Sequence, residues 1–295
     1  MPPVPSAKSI HIALTFDDSF WAPAYATMRS ICLATSQRNN LVFHICHRPL
    51  STAHRADLME IETEFGATLC FYDLTTTPEF LAISGRVPQS KRLTDIVYAR
   101  FVMDRFLPET VERLIYLDCD MMVMAPIEEL WHADLEDKVI GAVLDPWGKL
   151  IGSGRDIKTT SDLLDPAEPY FNAGLMVMDL VRWRSENIAE QMEALILGGT
   201  VARLNYSQNV INLILGGKWQ RLADRWNIVD PTPAHVSYNP SNLHYTGTQR
   251  PWHLLSRAGY ARQYRHVMTN ALFYRYLHFR ILKRVSKFLP FVKAN

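Results

Sequence analysis

The sequence predicts an α/β protein, a mostly parallel sheet flanked by helices on both faces, and two observations carry that prediction. Apolar strand-like runs alternate with segments of helical spacing through the first half of the chain, the order that lays crossover helices over parallel strands. At 295 residues, with 48% hydrophobic and 21% charged residues, the chain is also long and apolar enough to bury a core between such layers.

Taken in order, strands are read at SIHIALTF (9–16), LVFHICH (41–47), ATLCFYDL (67–74), RLIYLDCD (113–120) and KVIGAVLD (138–145), each a short apolar run of strand length. Helical spacing falls at 23–37, 51–65 and 94–106. The stretch GKLIGSGRDIKTTSDLLDPAEP (148–169), rich in Gly, Ser, Thr and Pro, reads as a loop. YFNAGLMVMDLVRWR (170–184) follows as a core strand entered through Asn172, Ala173 and Gly174, with a helix starting at Asp179. The small Ala-Gly pair marks close approach of the backbone to another strand or a ligand. SQNVINLILGGKW (207–219) reads as a short helix with Ser207 at its N-cap and Gly216 or Gly217 ending it. LHYTGTQRPWH (243–253) is a loop set by Gly and Pro.

Open α/β sheets bind ligands beyond the carboxyl ends of their strands, and here those ends are acidic. The first strand runs into TFDDSF, the fourth ends in Asp118 and Asp120, the fifth in Asp145. In an extended chain Asp118 and Asp120 point to the same side. Carboxylates that close repel unless a cation lies between them, and hard oxygen donors suit Mg²⁺ or Mn²⁺. Two aspartates capping a strand and facing water are the competing reading of the pair alone. No Gly-rich loop follows the first strand, which argues against a P-loop or dinucleotide-binding chain.

The net charge of +1 conceals an asymmetry: no Asp or Glu follows Asp230, and residues 231–295 hold seven Arg and three Lys. A helix over 272–288 would put Tyr274, Leu277, Ile281, Val285 and Phe288 on one face and Arg280, Lys283, Arg284 and Lys287 on another. This is the pattern of a helix lying in an anionic membrane surface. The start, MPPVPSAKSIH, shows no apolar run behind a positive segment, and no apolar stretch reaches spanning length. The expected location is therefore the cytoplasm, peripherally at the inner face of the membrane. Cys32, Cys46, Cys70 and Cys119 have no paired metal-ligand spacing and read as thiols in a reducing compartment.

Seven pieces, ALTFDDSF, VYARF, LIYLDCDMMV, GAVLD, YFNAGLMVMDLVRWR, SQNVIN and HYTGTQRPWH, spread over residues 9 to 255, carry a family pattern. In their order and spacing the chain resembles the retaining, nucleotide-sugar-dependent glycosyltransferases of family 8, which include bacterial lipopolysaccharide galactosyl- and glucosyltransferases and glycogenin. The resemblance implies a GT-A-type, Rossmann-like transferase domain over 1–256, with 257–295 as the basic amphipathic tail. It implies that Asp118, Asp120 and His244 hold Mn²⁺, with Mg²⁺ as the alternative, against the diphosphate of a UDP-sugar; mixed imidazole and carboxylate ligation favours Mn²⁺. It further implies donor contacts from Thr15, Asp17, Phe20, Arg100, Cys119, Gly247 and Arg250, and sugar recognition by Asp145, Asn172, Ala173 and Gln208, with Gln208 the catalytic residue.

The activity implied is transfer of galactose or glucose from UDP-hexose to a glycan or glycolipid of lipopolysaccharide or capsule type, with no nucleic-acid partner. Thr15 and Phe20 stand where the family commonly has Ala and Tyr, and Arg250 where Lys is common. Ser207 and Asn209 flank Gln208 where Asp is common. These departures define the alternative, a nucleotide-sugar-binding relative with lost or altered turnover.

Overall fold

The computed structural model describes residues 9–89, 94–146, 162–165, 167–204 and 206–288. Most of the loop read at 148–169 lies outside these residues, as do the side chains of Lys287 and Phe288. Strands β1 (Ile10–Phe16), β2 (Leu41–His47), β3 (Thr68–Asp73), β4 (Arg113–Leu117), β6 (Ile140–Leu144), β7 (Phe171–Asp179) and β8 (Trp219–Arg221) form one sheet in the order β3-β2-β1-β4-β7-β6-β8. A second, small sheet orders β5 (Met121–Val123), β10 (Asn242–His244) and β9 (Ile228–Val229) as β5-β10-β9.

β3, β2, β1 and β4 run parallel, as expected. β7 does not: it lies antiparallel between β4 and β6. The acidic ends of β4 and β6 therefore do not adjoin, and the amino end of β7 stands between them at the same rim. Asn172, Ala173 and Gly174 reach the site for this reason. The register of β6 on β7 jumps from Ala142↔Met176 to Val143↔Asn172, so Ala173 and Gly174 lie in an irregularity that turns the chain out of the ladder.

Both faces of the sheet are apolar, with side chains alternating at period two. On β1, Ile10, Ile12 and Leu14 enter one cluster with Trp21, Ile31, Leu58 and Ile115. Ala13 enters the other with Tyr98, Phe101, Tyr116, Met176 and Trp183. The Trp21–Ala34 helix presents the buried small residues Ala22, Ala24 and Ala26, which allow it to sit close beneath the Asp118–Asp120 segment.

The segment read as a helix at 94–106 forms a 3₁₀ helix, Asp95–Phe101, and a short α-helix, Met103–Phe106. The helix over Ser207–Ile214 begins one residue earlier than the predicted cap implied: Tyr206 is its N-cap and Ser207 its first turn. Ser207 is buried and makes no side-chain cap bond, whereas Gly217 with φ +74° ends the turn beyond the helix. Helices Ala261–Met268 and Asn270–Phe288 pack back on the Trp21–Ala34 helix, with Tyr264, Leu272, Phe273 and Tyr276 buried.

Candidate active site

The three residues predicted as metal ligands come together because the two sheets meet at one point. Asp118 and Asp120 fill the gap between β4 and β5, and β10 pairs antiparallel with β5 so that His244 stands opposite Met121. One donor atom from each of Asp118, Asp120 and His244 lies within 4.8 Å of the others. His244 Nε2 is 3.2 Å from Asp120 Oδ1 and 3.8 Å from Asp118 Oδ2. Two carboxylates and an imidazole at this separation fit a divalent ion of the Mn²⁺ type. Gly174 gives a further sign of fit: a Cβ there would lie 2.4 Å from His244 Cε1 and 2.9 Å from Asp118 Oδ2.

The backbone of this segment is held from below. The Thr27 hydroxyl lies 2.9 Å from the Cys119 carbonyl oxygen and 3.0 Å from that of Met121, and Ser30 Oγ accepts from Val123 N at 2.9 Å. Asp118 N donates to Gly174 O (2.8 Å) and Tyr245 N to Asp120 O (2.9 Å). The buried Cys119 thiol lies 3.5 Å from Thr15 O, and burial, followed by the nearby Asp118 and Asp120 charges, pushes it well up. It stays a neutral thiol at neutral pH, not a nucleophile.

Burial opposes charge on both Asp120 and His244, and their mutual attraction wins. Burial raises the Asp120 carboxyl, but the charges and hydrogen bonds of His244 and Arg250 hold it below the usual range. Burial lowers the His244 imidazole, but Asp120 and then Asp118 lift it above its ordinary value. Arg250 Nη1 pairs directly with Asp120 Oδ2, while its Nη2 donates to Thr246 O at 3.0 Å. The imidazole and the guanidinium together supply the counter-charge to Asp120.

Arg100 is not a surface charge, the alternative its helical setting allowed. It is buried, donates to Ala173 O at 2.6 Å and Val97 O at 2.7 Å, and lies 3.5 Å from Asp118 Oδ1. Its guanidinium carbon also stands 4.5 Å from the Tyr116 ring centroid. Tyr116, two residues before Asp118 and on the same side of β4, donates to Asp118 Oδ1 at 3.0 Å and meets Thr15 Oγ1 at 2.9 Å. Period two would have singled it out. Thr15 is thus occupied by Tyr116 rather than pointing freely from the rim.

Asp17 accepts from Ser19 N at 2.8 Å and caps the turn Asp18–Phe20. Phe20 stands edge-to-face on Trp252 at 5.5 Å. Gly247 N donates to Asp230 Oδ1 at 2.7 Å, so this N–H is engaged by a carboxylate.

Beyond the carboxylates lies an amide cluster. Gln208 Nε2 and Asn172 Nδ2 both donate to Asp145 Oδ2, at 2.8 and 2.9 Å, and Ala173 N donates to Gln208 Oε1 at 3.1 Å. Asn227, which stands in no motif, joins Asn172 to His244. Asn209 faces away, bonded to Tyr170 OH and Leu204 O at 2.6 and 2.7 Å.

A parallel-to-mixed sheet whose rim gathers two carboxylates and an imidazole beside an amide cluster is the architecture of a glycosyltransferase of the GT-A type. The glycosyl transferase family 8 model matches residues 11–256, and the chain belongs to that family. It is 24% identical to general stress protein A of Bacillus subtilis over 286 residues, covering 88% of this chain and 93% of that one. It is 23% identical to lipopolysaccharide 1,3-galactosyltransferase of Salmonella typhimurium over 266 residues, covering 84% and 74%. The galactosyltransferase LgtC, solved with donor and acceptor sugar analogues, superposes with a TM-score of 0.73 at 22% identity, covering 88% of this chain and 95% of that one. That likeness shows the fold.

Proposed function

We propose that the protein is a retaining, Mn²⁺-dependent transferase that moves galactose or glucose from UDP-hexose to a hydroxyl of a glycan or glycolipid acceptor of lipopolysaccharide type. The observation that carries this reading is the convergence of Asp118, Asp120 and His244 on one point next to the oriented Gln208–Asp145–Asn172 cluster. A divalent ion held by the three side chains would supply Lewis-acid stabilisation of the leaving diphosphate.

The remaining chemistry belongs to the chain. Arg250 has one arm on Asp120, and its planar guanidinium would offer a bidentate contact to a phosphate of the donor. Gln208 is a neutral amide with both polar atoms committed. A carboxylate is the usual nucleophile for a covalent sugar intermediate, and residues 207–209 offer none. Attack by the acceptor from the face that the UDP leaves, with the departing phosphate oxygen taking its proton, fits these side chains. Gln208 then stabilises positive charge at the anomeric carbon.

Residues 257–295 are assigned in this proposal to an anionic membrane surface at the cytoplasmic face; among the described residues no helix is long and apolar enough to cross a membrane. The test is a screen of UDP-hexoses for Mn²⁺-dependent release of UDP, since slow transfer to water needs no acceptor. Release that is abolished by EDTA and by Asp120→Asn supports the proposal, and release untouched by EDTA overturns the metal assignment. Binding of UDP-hexose without any release would favour the alternative relative with lost turnover.

A further inference from the structure

Two buried backbone N–H groups fix the direction of every hydrogen bond between the metal ligand His244 and the sugar-side residues. A backbone N–H is a donor whatever the neighbouring side chains do, whereas amide and imidazole orientations follow from their partners. Gly174 N lies 3.0 Å from one polar atom of Asn172, which must therefore be the acceptor Oδ1. The Asn227 atom 2.9 Å from that same Oδ1 must then be the donor Nδ2. Asn227 consequently turns its Oδ1 to His244 Nδ1, at 3.0 Å, and Nδ1 must carry the proton.

The ring is left with Nε2 facing Asp120 and Asp118, the nitrogen a metal would take. In the other direction Asn172 Nδ2 donates to Asp145 Oδ2 at 2.9 Å. Gln208 is fixed the same way by Ala173 N and donates to the same oxygen at 2.8 Å. Asn172, Asn227 and His244 are all buried, so water does not compete for these bonds.

We propose that Asn227 is a positioning residue with two separable jobs: its carbonyl oxygen sets the His244 tautomer for metal binding, and its NH₂ group holds Asn172 so that Asp145 and Gln208 face the sugar. The assignment rests on the proposed metal-dependent transfer, and it concerns a residue with no contact to metal or donor. A metal-bound imidazole commonly gives its second N–H to a partner of this kind, and losing that partner costs about 10- to 100-fold in metal affinity.

The two jobs come apart in two variants. Asn227→Ala loses both, so Mn²⁺ affinity of the donor-free protein, read by the free-ion electron paramagnetic resonance signal, should fall roughly 10- to 100-fold. Asn227→Asp keeps an acceptor for Nδ1 but sets a carboxylate oxygen against Asn172 Oδ1. It should bind Mn²⁺ at least as tightly as the native protein while its kcat for UDP release falls.

Circular dichroism and Tm establish that each variant folds; if Asn227→Ala does not, the Asp variant and the ring tautomer of His244, read from its ¹⁵N shifts in the metal-free native protein at high pH, decide the matter. Native protein that ignores Mn²⁺ would sink the metal-dependent reading itself. Native protein that binds Mn²⁺, with Asn227→Ala binding equally well, or a metal-free ring protonated at Nε2 alone, would overturn the role of Asn227.

Discussion

Gly174 carries a tight constraint at the site, because a Cβ there would lie 2.4 Å from His244 Cε1 and 2.9 Å from Asp118 Oδ2. Gly174→Ala should abolish Mn²⁺ binding, and the crowding should cost about 1–3 kcal/mol of stability, visible as a lower Tm with an unchanged circular dichroism spectrum. Native Mn²⁺ affinity in the variant would show that His244 moves freely. Gln208→Ala is the complementary change. It should lower kcat for UDP release and leave UDP affinity nearly unchanged, the mark of an interaction made chiefly in the transition state; a matching loss of UDP affinity would instead make Gln208 a ground-state contact. The candidate ligand set was legible in the sequence because Asp118 and Asp120 stand two apart beside a strand, and family likeness added His244. Asn227 was not legible. It lies far from both Asn172 and His244 in sequence, in no motif, and only the pairing of β10 with β9 brings it into line.

At the scale of elements, β1, β2, β3, β4, β6 and β7 could be read because each is an apolar run, whereas β5, β8, β9 and β10 have only three, three, two and three residues and give no periodicity to read. The antiparallel sense of β7 was hidden for another reason: its apolar run fits either direction, and the direction depends on what lies across the sheet. The parallel strands β1, β2 and β3 also bury a polar ladder. His11 Nδ1 meets His44 Nε2 at 2.9 Å, and His44 Nδ1 meets Tyr72 OH at 3.1 Å. Burial lowers His11 to about 4, and burial with the His11 charge lowers His44 to about 3. Both are neutral when folded but take up protons below about pH 6.5 when unfolded. The stability they contribute is therefore full above that pH and declines as the pH falls towards the folded values. Each histidine should steepen the loss by about 1.4 kcal/mol per pH unit. Urea titrations at pH 7, 6 and 5 in EDTA should show a shallower decline for the His11→Gln/His44→Gln double variant. Parallel declines would mean that the pair charges within the fold.

At the scale of the whole molecule, the acidic first 230 residues are followed by a basic remainder, and the Asn270–Phe288 helix within it turns one side against the domain. Leu272, Phe273 and Tyr276 are buried against the domain, and Tyr276 OH donates to Ser19 O at 3.2 Å. Half-buried Arg280 and exposed Lys283 border a cleft of about 280 Å³ with Arg250, Phe20 and Trp252. Burial, then the neighbouring Arg280, Arg284 and Arg250 charges, pushes His253 beside it down to about 4. On the outward face, Tyr274, Ile281, Leu282 and Val285 are between 42% and 55% exposed, beside the exposed Arg275, His278, Lys283 and Arg284. Truncation near residue 270 would therefore strip packing from the Trp21–Ala34 helix as well as remove the tail, and release from a membrane would not be separable from damage to the fold. Substitution on the outward face is separable, since those side chains support nothing beneath them. Ile281→Glu/Val285→Glu should leave Tm and Mn²⁺-dependent UDP release unchanged while freeing the protein from phosphatidylglycerol vesicles in a flotation assay at low salt. Insertion of this face is what holds such a helix to a surface after charge has drawn it there. If the double variant floats with the vesicles as the native protein does, charge alone is sufficient; if the native protein does not float, the helix is a wall of the cleft beside Arg250 and has no membrane role.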